Sequence, residues 1–181
     1  RRRVVFRADV WGRGRELVIS DGTMTGTQVV ELQPGAAGSI PTGFVAFQDR
    51  VFFSARRAGY GEELFVTDGT VGFTRLVRDI APGPLPSWPR SLTVWGNRLV
   101  FIATEPTNGN EIWTTDGTAA GTSLFLDVVP GSGGANLSRL AAFGDELLFI
   151  ADADNAGSEL WITDGTTVGT RRVTDIGPGS S

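Results

Sequence analysis

The chain has 181 residues, a net charge of −4, and neither histidine nor cysteine. Those absences exclude disulfides, thiol or imidazole catalysis and thiolate metal sites, and no apolar run approaches the roughly 18 residues that cross a bilayer as a helix. All 16 basic residues are arginine, placed so that residues 1–90 carry +3 and residues 91–181 carry −7, a distribution without the basic stripe that nucleic acid requires.

In chain order, Arg1-Arg2-Arg3 before Val4-Val5-Phe6 imitates the start of a signal peptide, but Arg7 and Asp9 cut the apolar stretch short. Residues 2–8 instead read as a strand. A variable loop, residues 9–15, leads into Glu16-Leu17-Val18-Ile19-Ser20 and then Asp21-Gly22-Thr23. The same phrase returns at Glu63, Glu111 and Glu159, with Asp-Gly-Thr starting at 68, 116 and 164, so the spacings are 47, 48 and 48 residues. Such a period means stacked supersecondary units, none of which buries its apolar face alone. The repeats run over residues 1–35, 36–83, 84–131 and 132–181 of one repeat domain.

The third repeat shows the plan. Ser91 to Trp95 is a strand (A), Gly96-Asn97-Arg98 a tight turn, and Leu99 to Ala103 an apolar strand (B). A longer loop follows over residues 104–110, then strand C over Glu111 to Thr115, the Asp116-Gly117-Thr118 turn, and strand D over Ser123 to Val128. Turn residues bound every run and no helical period is present. Short connections dictate antiparallel neighbours. The fold expected is all-β, an array of four-stranded antiparallel blades of the β-propeller type, the first blade lacking strand A. A β-solenoid is the rival, although its parallel rungs do not need two hairpins per repeat. Strand B is apolar throughout, as in Val51-Phe52-Phe53 and Leu147-Leu148-Phe149, which predicts burial on both faces. Strand D carries Arg75, Arg78, Arg171 and Arg172 and reads as a wet edge. Fifteen strands then run from B-C-D through three full A-B-C-D units. A chain cut in this frame is either a segment of a longer array or a unit that associates head to tail into a homo-oligomer.

The pattern Glu-Leu-Trp-x-x-Asp-Gly-Thr, then Gly-Thr and Asp-Ile-x-Pro-Gly, is clearest in Glu159 to Thr170 with Asp175-Ile176-Gly177-Pro178-Gly179. It closely resembles the bacterial ELWxxDGT repeat family across essentially the whole chain. Copy one departs with Val18 for Trp, and copy two with Phe65 for Trp and Gly72-Phe73 for the usual x-Gly. The resemblance implies a large secreted or surface-exposed bacterial protein and brings no catalytic residue with it. From the residues alone, Asp21, Asp68, Asp116 and Asp164 are turn acceptors, and Gly22, Gly69, Gly117 and Gly165 take positive φ.

Strand direction divides the loops between two rims. The A–B and C–D turns form a uniform rim, while the B–C and D–A connections form a variable one. Loops on a rigid scaffold carry binding, and the variable rim holds Trp11, Arg13, Tyr60, Trp88 and Asn108 as candidate contacts for a protein or glycan. Unconstrained surface loops are the plainer reading. Asp152, Asp154, Asn155, Gly157 and Glu159 resemble the opening of a calcium loop, but Ala156 stands where a third oxygen belongs. Acids on this rim (Asp9, Glu62, Glu105, Asp152, Asp154) are candidates for carboxylate-based glycosidase chemistry, yet nothing pairs them at a defined separation. The expectation is a non-enzymatic interaction scaffold without a cofactor, the alternative being a structural building block of a surface fibre or adhesin.

Overall fold

A computed structural model describes residues 3–153 and 157–174. All the regular structure among them is β, and the four sheets are entirely antiparallel. The first sheet has three strands, β1 (Val4–Val10), β2 (Gly14–Ser20) and β3 (Gln28–Val30). The second is β4 (Thr42–Phe47), β5 (Arg50–Arg57), β6 (Gly61–Thr67) and β7 (Arg75–Leu76). The third is β8 (Arg90–Trp95), β9 (Arg98–Glu105), β10 (Gly109–Thr115) and β11 (Ser123–Leu126). The fourth is β12 (Ser138–Phe143), β13 (Glu146–Ala151), β14 (Glu159–Thr163) and β15 (Arg171–Arg172). Each sheet is an up-and-down meander, the blade of a β-propeller.

The chain divides into two compact units, Arg1–Pro89 and Arg90–Ser181, where the sequence reads as one array. In the first unit, Leu17, Ile19 and Val30 of blade one form a core cluster with Phe53, Ala55 and Phe65 of blade two. In the second unit, Val100, Ile102 and Ile112 of blade three join Leu137, Leu147 and Phe149 of blade four. Both clusters cross from one blade to the next, which is why a single repeat does not suffice. The B strands of blades two and three are buried on both faces, with Phe52, Phe53, Leu99, Val100 and Phe101 inaccessible to solvent, whereas in β13 buried Leu147 and Phe149 alternate with half-buried Leu148 and Ile150, and β1 exposes Val4 and Phe6. Phe149 stacks on its cross-strand partner Trp161, with ring centroids 6.4 Å apart.

Each A strand opens on a bulge. The register with strand B shifts between Thr42 and Val45, between Arg90 and Thr93, and between Ser138 and Ala141. The backbone reaches positive φ at equivalent places, at Gly43 (67°), Ser91 (53°) and Arg139 (54°). A second left-handed position recurs three residues earlier, at Ile40 (48°), Trp88 (45°) and Asn136 (50°). Only Asn is at home there; Ile and Trp in this conformation are strained.

The Asp-Gly-Thr turn closes a small circuit of bonds. In the third repeat the Thr118 N–H and hydroxyl both donate to Asp116 Oδ1, at 2.8 and 2.7 Å. The Gly121 N–H donates to Thr118 Oγ1 at 2.9 Å, and the Thr122 hydroxyl donates to the Thr118 carbonyl at 2.6 Å. The Gly117 N–H donates to Thr115 Oγ1 at 2.9 Å, at φ 88°. Gly121 lies against the carboxylate so closely that a Cβ would stand 2.2 Å from it. Repeats one and four reproduce the Asp, Gly and Thr contacts. In repeat two, Phe73 occupies the place of that glycine, and its N–H reaches Thr70 Oγ1 at a longer 3.3 Å.

Candidate functional site

The glutamate that opens each motif is the element on which the variable rim is built. Glu16, Glu63, Glu111 and Glu159 are all fully or almost fully buried. Glu63 shows why. Its Oε1 accepts from the N–H groups of Ala81 and Ser87, each at 3.2 Å. Its Oε2 accepts from the Ile80 N–H at 3.3 Å and the Ser87 hydroxyl at 2.5 Å. One side chain on β6 therefore gathers the connection that leads to the next blade and satisfies backbone donors that have no strand partner. Glu16 does the same with Leu32 N–H at 3.2 Å, Ser39 N–H at 3.0 Å and the Ser39 hydroxyl. In repeat three Ala135 stands where the serine would be; Glu111 Oε2 keeps the Val128 N–H at 2.6 Å, while Oε1 lacks a hydrogen bond. Burial pushes Glu63 and Glu111 up to about 7, against the pull of these donors and with Asp79 or Asp127 adding repulsion.

Glu63 and its clamp set the geometry of a groove on the variable rim of the first unit. The Ser87 and Trp88 N–H groups both donate to the Glu62 carbonyl, at 3.0 and 3.3 Å. Gly61 allows this approach, since a Cβ there would lie 2.7 Å from the Leu85 carbonyl. Trp88 thus follows a fully buried serine directly, is held in the left-handed backbone region, and is 52% exposed. Beside it the β5–β6 turn is closed by the Tyr60 N–H donating to the Arg57 carbonyl at 3.0 Å. The Arg57 guanidinium lies over the Tyr60 ring, 5.4 Å from its centroid. Arg56 pairs with Glu62 at 3.2 Å, and Glu62 also accepts from the Ser54 hydroxyl at 2.9 Å. Arg56, Arg57, Gly61, Glu62 and Trp88, with Gln33, Ala37, Gly38, Pro84 and Pro86, line a groove of about 420 Å³.

Two further grooves lie on the uniform rim, one within each unit, and the larger, of about 550 Å³, is there. Some of their polar groups make local contacts. Arg3 donates to the Gly69 carbonyl, Arg98 covers the Phe125 ring at 5.3 Å, and Asp68 and Asp164 hold their own threonines. Their walls are largely the A–B and Asp-Gly-Thr turns, which repeat from blade to blade, whereas the variable rim differs in each.

The candidate contacts fall in different places. Trp88 lines the groove, and Tyr60 stands outside the lining, under the guanidinium of the lining residue Arg57. Trp11 is 99% exposed and stands outside the lining, and Arg13 pairs with Glu31 at 3.4 Å. Asn108 belongs to the second unit, where its N–H donates to Glu105 at 2.7 Å. Of the calcium-loop residues, Asp154 and Asn155 lie outside the described residues. Glu159 is 1% exposed, one of the four buried repeat glutamates. Among the described residues no three potential metal ligands cluster. The rim acids are taken up locally, Asp9 by Arg15 at 3.2 Å and Glu105 by the Thr107 hydroxyl at 2.7 Å. The sequence reading passes over Arg56, Arg57, Gln33, Pro84 and Pro86 as site residues. The serine at 39 and 87, one period apart, is the signal that could have located the clamp.

No family model matches the chain, and no curated protein matches it. Solved structures do match. TolB from Acinetobacter baumannii superposes with a TM-score of 0.58 at 12% identity, over 98% of this chain and 42% of that one. A prolyl endopeptidase structure gives 0.56 at 14% identity, over 94% of this chain and 24% of the other. An acylaminoacyl peptidase from Pyrococcus horikoshii gives 0.55 at 11% identity, over 95% and 25%. The chain spans less than half the length of these proteins, and at such identity the likeness establishes the β-propeller fold alone.

Proposed function

We propose that the chain is a non-catalytic binding scaffold that recognises a protein or a glycan through its variable rim, within a secreted or surface-exposed bacterial repeat protein. The location follows from the resemblance to ELWxxDGT repeats. The binding role is carried by one observation: Trp88, a large aromatic, occupies a left-handed backbone position and is half exposed on a groove flanked by two arginines. Asn stands at the equivalent position 136 at a similar φ, so tryptophan there is poorer for stability than an available alternative. Replacing residues 56–62 with the sequence of residues 104–110 tests the reading. Binding on glycan and protein arrays should disappear with the melting temperature unchanged; retained binding would overturn it.

A further inference from the structure

We infer that the groove at Trp88 takes an acidic glycan, one whose sugar units each carry a single negative charge, as a carboxylate or a sulfate ester. The inference rests on the binding reading above and narrows its ligand.

Arg56 is neutralised by Glu62 at 3.2 Å, and Arg57 has a ring, not a carboxylate, as its partner. The lining therefore carries one uncompensated positive charge, from Arg57, which suits a single anionic group. The remaining chemistry is that of a polyol site. Glu62 offers acceptors and Gln33 both a donor and an acceptor, a mixture suited to sugar hydroxyls. The indole of Trp88 supplies a flat face for the C–H side of a pyranose. An acidic peptide fits less well. The lining contains no Leu, Ile, Val, Met or Phe, and its apolar surface is Ala37, two prolines and one tryptophan, so no pocket receives an aliphatic anchor of the kind that dominates peptide recognition. The walls are fixed before binding. Pro84 and Pro86 limit the backbone, and the Glu63–Ser87 clamp holds the segment at 2.5 Å, so binding demands little ordering of the protein itself.

The test is calorimetric titration of the whole chain with an oligouronate, its methyl ester, and a sulfated oligomer of a neutral hexose. Two variants accompany it, Arg57→Ala and Trp88→Asn. The second places at 88 the residue found at 136, so it should melt no lower than the parent while losing the stacking face. The expected result is binding of at least one acidic oligomer, weakened about tenfold by either substitution or by esterification, as loss of one charge-assisted contact implies. The tighter of the two acidic oligomers identifies the group. Equal affinity for the uronate and its ester would overturn the charge argument and leave the binding reading standing. Binding of an acidic oligomer unaffected by both substitutions would overturn the groove itself. Absence of binding to all three sugars would overturn the glycan inference; if an acidic peptide then bound in a manner dependent on Trp88 and Arg57, the groove reading would survive with a different ligand.

Discussion

Two carboxylates do different work in each repeat. The turn aspartate is exposed and saturated by its own threonine; at Asp21 and Asp164 those bonds hold the carboxyl below its ordinary range. Asp116→Ala removes two acceptor contacts of this kind and should lower stability by about 1 kcal/mol, seen as a lower urea midpoint without loss of binding. Gly121→Ala should do more, because its Cβ would meet Asp116 at 2.2 Å and the turn must open. The glutamate is buried, so its effect on pH stability has the opposite sign to that of a salt-bridged acid. Folded Glu63 and Glu111 titrate near 7, above the 4.5 of the free group. Between those values the native state holds more protons than the unfolded state. The stability these two groups contribute is therefore greatest below about pH 4.5, falls as pH rises toward 7, and is level above it. Unfolding midpoints measured from pH 5 to pH 8 should decline, and Glu111→Gln should flatten the decline.

At the scale of the strand and its connection, regularity comes from backbone geometry that the local residues do not all favour. The bulge at the start of each A strand needs left-handed residues, and only Gly43 meets that need without strain. Arg139 is exposed at φ 54°, and the structure gives its side chain no role. Arg139→Gly should raise stability by about 1 kcal/mol, read as a higher melting temperature. Strands B and C were legible from the sequence because apolar and β-branched runs are bounded by turn residues. The bulges were not: Ser91 and Arg139 carry no signature of positive φ, and their conformation is imposed by pairing with strand B.

On the molecular scale, the two units each pair neighbouring blades across an apolar seam. The uneven charge of the chain, +3 in residues 1–90 and −7 in residues 91–181, predicts that any self-association, read by light scattering, weakens with salt.

The sequence by itself determined the period, the class of fold and the turn chemistry, since these depend on contacts within a few residues, such as Thr118 on Asp116. Only the tertiary structure decided what the repeat glutamate does and where a ligand would sit. Glu63 finds its donors 17 to 24 residues away. Arg57 and Trp88 become neighbours because that clamp folds the connection back over the start of β6. Local pattern encodes strands and turns; a site made by one buried carboxylate drawing a distant segment onto a strand exists only once the sheet has formed.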